Sequence, residues 1–323
     1  MADGKALAEA KKNEKDEFYT QYGDIQNELK HYTEHFEGKT VLCNCNDSYE
    51  SNFCKFFLRN FKYLKLKRLI CTSYAGSPIM PFLVPDPAYG YVMDVEDVPM
   101  ANGRDITDED IDKFLHSEAF KIQRLQGNGA FNSPECVAYL KQADIVATFP
   151  PVSQFREYVA LLMEYDKKFL IIGNVNAITY KDIFSLIMDN KIWLGYHFPD
   201  FSATPGNNKH VFGFRWYTNF EISKRHEDLP LYKHYSPEAY PKYDNYDAIE
   251  VSKVYETPDD YAGVMGVPIT FMDKYNPDQF EIIGLDRYTV PKEFLVGGRV
   301  AINGKARYAR ILIRNKHPKA PQT

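Results

Sequence analysis

A short apolar run that breaks into paired prolines, Asp144-Ile-Val-Ala-Thr-Phe-Pro-Pro-Val-Ser153, constrains this chain more than any other stretch. A strand covered on both faces of a parallel sheet reads as a continuous apolar run. Two prolines just past its carboxyl end stop the ladder and hold the chain extended, because each lacks an N–H and fixes φ. Ser153 then stands where it can N-cap an amphipathic helix, Ser153-Gln-Phe-Arg-Glu-Tyr-Val-Ala-Leu-Leu-Met163. In open α/β sheets the edge marked by such a break is where ligands bind.

The same alternation extends over the N-terminal two thirds. Residues 1–15 are polar and form an arm, and the pattern from Asp16 to Glu34 suits a helix. Lys39-Thr-Val-Leu-Cys-Asn44 predicts the first buried strand, closing in the polar turn Asn44-Cys-Asn-Asp-Ser48. Apolar residues at helical spacing from Asn52 to Phe61 and a second strand, Leu66 to Thr72, complete a β-α-β unit. Residues 75–115, rich in Pro, Gly and Asp, read as an insertion with one hairpin at Tyr89–Asp94. Glu135 to Lys141 is a short helix leading to strand Ile145–Ala147. Lys168–Gly173, Lys181–Asn190 and Lys191–His197 then predict strand, helix and strand. The order specifies an α/β fold with a doubly wound, mostly parallel sheet. After about residue 198 aromatics, prolines and glycines dominate, with short strands near Val211–Phe220 and Tyr308–Ile313. The expected organisation is therefore an arm over 1–15, an α/β domain over 16–198 and an appended region over 199–323.

Composition narrows the function classes. A net charge of −5 argues against a non-specific polyanion binder but leaves room for a sequence-specific one, whose basic groups need only cluster on one face. Lys62-Tyr-Leu-Lys-Leu-Lys-Arg68 and Lys305 to Arg310 with Arg314, Lys316 and Lys319 are candidate clusters, and each also reads as solvated surface charge. No apolar stretch approaches a membrane span, and the first twelve residues hold no apolar signal core. The five cysteines show no repeated C-x2-C pairing and read as reduced thiols of a cytoplasmic protein. His197, His210 and His226 show no ligand spacing, so no metal is expected.

Several longer strings carry a specific likeness. Asp16-Glu-Phe-Tyr-Thr-Gln-Tyr22, Val41-Leu-Cys-Asn-Cys-Asn-Asp47, Asp166-Lys-Lys-Phe-Leu-Ile-Ile-Gly-Asn-Val-Asn176, Ile178-Thr-Tyr-Lys181 and Lys191-Ile-Trp-Leu-Gly195 resemble the EcoRI-type adenine-specific DNA methyltransferases. So do Tyr240-Pro-Lys-Tyr-Asp-Asn-Tyr-Asp247 and Tyr261-Ala-Gly-Val-Met-Gly-Val-Pro-Ile-Thr-Phe271, and the matches run in order from about residue 14 to 316. The resemblance implies an S-adenosylmethionine-dependent enzyme that flips an adenine from duplex DNA and methylates its N6. The cofactor-binding and catalytic region would be 16–198 and the target-recognition region 199–323. It further implies a monomer acting on double-stranded DNA, with a cognate restriction endonuclease as genetic partner.

Residue by residue, the resemblance places Phe18, Tyr19 and Thr20 in a segment folding back over the cofactor, where aromatic faces suit the sulfonium and a hydroxyl suits the carboxylate. Asn44 and Asp47 would meet the methionyl end, Asp47 being the best candidate for its amine. Thr72-Ser73-Tyr74 lacks the acidic residue that often holds a ribose hydroxyl. In Gly127-Asn-Gly-Ala-Phe131 the family's acidic partner of the cofactor adenine is replaced by Ala130, a loss of roughly 1–3 kcal/mol if the bond is buried. Phe131 can pack on that adenine or serve as a core aromatic.

At Phe149-Pro150-Pro151-Val152 the family has a polar acceptor in the position of Phe149 and an aromatic in that of Val152; the Pro150 carbonyl remains. Loss of one oriented acceptor costs on the order of 10²–10³ in rate. Loss of the stacking ring costs about 1–3 kcal/mol of base binding. Asn174 and Asn176 would line the DNA groove or pocket, and Arg156 and Lys181 would meet phosphates. Three readings stay open at this point: an adenine-N6 methyltransferase with an altered motif, a member that binds DNA without efficient transfer, and an enzyme for another nucleic-acid amino group.

Overall fold

The computed structural model describes residues 19–45, 51–75, 88–99, 106–115, 120–199, 201–202, 210–211 and 213–320. The chain divides into two compact units, Met1–Val175 with Gly195–Phe220 and Asn176–Leu194 with Glu221–Thr323. The boundary read from sequence near residue 198 thus lies inside the first unit. The chain returns there to pair Phe214–Thr218 against Lys168–Asn174.

The first unit is built on strands β1 (Thr40–Cys43), β2 (Arg68–Ser73), β3 (Tyr91–Val95), β4 (Lys121–Arg124), β5 (Ile145–Thr148), β6 (Lys168–Asn174) and β7 (Phe214–Thr218). Within this unit they lie in the order β4-β3-β2-β1-β5-β6-β7. The central β2, β1, β5 and β6 are parallel, whereas β3, β4 and β7 run antiparallel to their neighbours. Val41, Leu42, Leu69, Ile70, Val146, Ala147 and Phe169 through Ile172 are buried, as two-sided cover of parallel strands requires. Asp144 fixes the register: its carboxylate accepts the Thr40 N–H at 2.8 Å, and its own N–H donates to the Thr40 carbonyl at 2.9 Å. From β1 the chain goes to β2 on one side and later to β5 on the other. The strand order therefore reverses between β1 and β5, which opens a crevice at their carboxyl ends.

Helix α1 (Tyr22–Leu29) precedes β1, and α2 (Asn52–Arg59), α3 (Pro134–Gln142) and α4 (Phe155–Glu164) lie in the connections between these strands. Ser133 caps α3 by accepting the Cys136 N–H at 3.2 Å, with Pro134 in the first turn, where its missing N–H costs nothing. Ser153 does not cap α4 as its sequence position suggests. The Pro151 carbonyl accepts the Gln154 N–H at 2.9 Å, a 3-10 turn spans Val152–Gln154, and the helix starts at Phe155.

Three other expectations are corrected. The stretch expected to be a helix from Asp16 is instead a short strand at Tyr19–Thr20, then α1, then a 3-10 helix at Lys30–His35, its first residues lying outside the described ones. The expected hairpin at Tyr89–Asp94 is β3, which pairs with β2 and β4 in the main sheet. The strand expected over Lys191–His197 is confined to Trp193–Leu194. Beyond it the N–H groups of Tyr196 and His197 donate to the buried Glu28 carboxylate of α1, each at 2.8 Å, so they are not available to a ladder. The Tyr32 hydroxyl donates to the same carboxylate at 2.8 Å, and His197 Nδ1 lies 3.0 Å from it.

The second unit contains helix α5 (Lys181–Met188) and strands β8 (Ile249–Glu250), β9 (Met265–Pro268), β10 (Phe280–Leu285) and β11 (Arg310–Asn315). The strands lie in the order β8-β9-β11-β10. Tyr243, Ala248, Val290, Val300 and Leu312 form an apolar cluster beside them. Among the described residues no helix is long and apolar enough to cross a membrane.

Candidate active site

The crevice between β1 and β5 is bounded by Asn44, a residue the resemblance assigned to the ligand and the structure ties to the protein instead. Asn44, immediately after β1, is 2% exposed. Its carbonyl accepts from the Thr148 hydroxyl at the end of β5, and its side-chain oxygen accepts from the Tyr158 hydroxyl of α4. Asn44 thus welds β1, β5 and α4 together, and its amide oxygen is already engaged by protein. Burial pushes the Tyr158 hydroxyl well above its ordinary pKa, so it stays a donor. Cys45 follows in the left-handed region, φ 74°, which ends the extended backbone of the strand.

Two glycines set the opposite wall. A Cβ on Gly129 would lie 2.1 Å from the Ser73 carbonyl oxygen, and one on Gly90 would lie 2.4 Å from the same atom. The loop 127–131 can therefore seat against the ends of β2 and β3, where Ala75 donates to the Asn128 carbonyl at 2.8 Å and Gly90 to that of Gly127 at 2.9 Å. Gly129 also has φ 76°. Gly129→Ala combines a left-handed backbone with a collision against backbone. It is expected to cost about 1–3 kcal/mol of stability and to displace the loop. Urea unfolding measures the first effect and ligand affinity the second.

That loop presents Ala130 and Phe131 to a cavity of about 450 Å³, which is also lined by Cys45, Tyr74, Asn128, Asn132, Pro151, Ser153 and Gln154. The size is within the range of small-molecule sites, and the mixture of one buried ring with convergent amides and a hydroxyl is typical of them. Phe131 packs edge-on against the buried Tyr158, with centroids 5.0 Å apart, which anchors that wall to the core. Ala130 offers no side-chain acceptor there.

The four motif residues are distributed unevenly. Pro151 lines the cavity, Pro150 is buried and Val152 is half-buried. Phe149 is 6% exposed, its ring edge-on to Phe214 of β7 at 5.4 Å. The residue therefore packs as a core aromatic. Gly173 of β6 leaves room for Phe155 behind the motif: a Cβ there would stand 2.4 Å from the Phe155 ring.

Thr20 is buried, and its carbonyl accepts the Asn52 side-chain amide at 2.8 Å, which places it over the start of α2. Its hydroxyl has no hydrogen-bond partner among the described residues, an orphan that a polar ligand would satisfy. Tyr19 is described in its backbone, paired with Ser202, while Phe18 and Asp47 lie outside the described residues. Asn174 is buried at the end of β6, where its carbonyl accepts the Tyr217 hydroxyl at 2.9 Å, and Arg156 is exposed on α4. Asn176 and Lys181 are exposed residues of the second unit. Sequence reasoning missed Asn132, Gln154 and Tyr158. The first two are exposed amides in turns, and the third is an ordinary helix-face tyrosine until Asn44 is placed beside it.

A parallel sheet with a reversal in strand order, and a ligand-sized cavity at that reversal, define a Rossmann-like α/β fold of the methyltransferase kind. Within that class the chain belongs to the adenine-specific methyltransferase EcoRI family, whose profile matches residues 6–210 and 201–316. It is thereby a DNA methyltransferase by descent. It is 44% identical to the type II methyltransferase M.EcoRI of Escherichia coli, over 98% of both chains. It is 33% identical to the type II methyltransferase M.MpnI of Mycoplasma pneumoniae, over 95% of this chain and 97% of that one. Identity to M.MgeORF184P of Mycoplasma genitalium is 32%, over 95% and 98%. No solved structure matches the chain.

Proposed function

We propose that this chain binds S-adenosylmethionine in the cavity between Cys45 and Pro151 and methylates adenine N6 in a short duplex DNA site, at a rate held down by Phe149 and Val152. The observation that carries the reading is the conjunction of full-length family membership with a cavity lined by both Cys45, in the turn after β1, and Pro151, after β5. Bound there, S-adenosylmethionine supplies an electrophilic methyl group. The protein's share is orientation. Asn44, Thr148 and Tyr158 hold the floor, Phe131 offers a ring to the cofactor adenine, and the Thr20 hydroxyl and the Asp47 carboxylate serve the methionyl end. Pro150 supplies one carbonyl acceptor for the target amino group. Phe149 supplies none and Val152 no stacking surface, so the nitrogen lone pair is poorly aimed. Asn174, Asn176, Arg156 and Lys181 serve the duplex, and the enzyme acts as a monomer beside a cognate restriction endonuclease.

A second reading, binding of DNA without efficient transfer, is favoured by one observation: the Phe149 ring is packed into the protein against Phe214 rather than left at the cavity wall. Single-turnover transfer of labelled methyl to mixed duplex DNA separates the two. Slow formation of methylated DNA supports the first, and cofactor and DNA binding with no product supports the second. Ala130→Asp returns an acceptor to the cofactor adenine and is expected to tighten S-adenosylmethionine binding by about 1–3 kcal/mol. Titration calorimetry checks it, and an unchanged affinity would place the cofactor adenine elsewhere.

A further inference from the structure

Three cysteines that carry no recognisable spacing in the sequence converge in the core of the first unit. Cys43 ends β1, Cys71 lies directly opposite it on β2, and Cys54 comes from the first turns of α2. Their sulfur atoms all lie within 4.8 Å of one another, and Cys54 donates to the Cys71 sulfur at 2.7 Å. All three side chains are buried, and among the described residues no histidine or carboxylate joins the group. None of the three is in a disulfide.

We propose that Cys43, Cys54 and Cys71 form a three-thiol binding site for a trivalent arsenical, of which arsenous acid is the simplest. The selection rests on coordination number and charge. Zinc in a protein of this kind takes four ligands in a tetrahedron. A divalent or monovalent ion on three thiolates would leave net negative charge in a dry core, a costly state without a partner. Trivalent arsenic suits soft sulfur ligands, bonds three of them and ends neutral. In the reaction three As–O bonds of arsenous acid break and three As–S bonds form. Each thiol proton leaves with a hydroxyl group as water, and nothing is oxidised or reduced. Because the sulfurs are enclosed, loading proceeds through opening of α2 from the sheet, and its rate should become independent of arsenical concentration.

The test uses the full-length, reduced chain incubated with arsenous acid under non-denaturing conditions. One arsenic per chain is expected by native mass spectrometry, with three sulfurs around it by X-ray absorption and a rise in Tm, since the folded state alone presents the trio. Cys54→Ala should lose the adduct, whereas Cys45→Ala and Cys136→Ala, which change cysteines outside the trio, should keep it. Should Cys54→Ala fail to fold, the sulfur coordination of the unaltered chain and the adduct of a Cys45→Ala, Cys136→Ala double variant decide. An adduct that survives in folded Cys54→Ala, fewer than three sulfurs at the arsenic, or no arsenic retained by the folded unaltered chain would each overturn the assignment.

Discussion

Exchange of Phe149 for asparagine together with Val152 for phenylalanine should raise the single-turnover rate of methyl transfer by on the order of 10²–10³-fold. The gain comes from an acceptor that holds the target amino group with its lone pair toward the methyl donor, an interaction worth most in the transition state. The ring at position 152 adds base stacking, so apparent DNA affinity should rise with it, by about 1–3 kcal/mol. The exchange has a structural cost. Phe149 is 6% exposed and packs edge-on against Phe214, so removing its ring is expected to cost about 3 kcal/mol of stability. Rate and unfolding should be measured on the same preparation. A variant that is less stable and no faster would mean that position 149 is only a packing site in this chain.

Glu250→Ala is expected to have the largest effect on stability, about 3–5 kcal/mol, because it strands a buried cation. Glu250 is buried in β8 and accepts from Arg310 at 2.6 and 3.0 Å, from Arg307 at 3.0 Å, from Ser252 at 3.1 Å and from the Tyr243 hydroxyl. Burial by itself would raise the carboxyl pKa; the hydrogen bonds from Arg310 and Tyr243 and the Arg310 charge outweigh it and hold the group below its ordinary value. A depressed carboxylate stabilises the fold fully above its unfolded pKa, about 4.3 for glutamate, and that stabilisation is lost as pH falls through the lower folded value. Urea unfolding should therefore show part of the acid sensitivity of the chain below about pH 4 disappearing in Glu250→Gln. Equal acid sensitivity in both proteins would remove Glu250 from the account.

The parts of the fold legible in the sequence are those fixed by local pattern. β1, β5 and β6 carry short apolar runs, Val41–Cys43, Ile145–Ala147 and Phe169–Ile172, bounded by polar residues and turn signals, a length that suits strands better than helices. What long-range pairing decides was not legible. Tyr91–Val95 has the same composition whether it folds on itself or joins β2, and only the sheet chooses. Residues 196 and 197 look like the end of a strand until Glu28, far earlier in the chain, takes their N–H groups. The site divides in the same way. The crevice follows from the run ending at Pro150–Pro151, whereas the inward turn of the Asn44 side chain depends on Tyr158, which nothing in the local sequence marks. The convergence of Cys43, Cys54 and Cys71 is equally hidden, since their separations match no ligand signature.

The central claim is that the crevice at the carboxyl ends of β1 and β5 brings a methyl donor to a flipped adenine. Identification of the labelled base tests it most directly: duplex DNA is incubated with methyl-labelled S-adenosylmethionine and the chain, then digested to nucleosides and separated. The account predicts label in N6-methyladenine, little with the unaltered chain and far more after exchange of Phe149 and Val152. Label on a different base, or none with either protein, would contradict it.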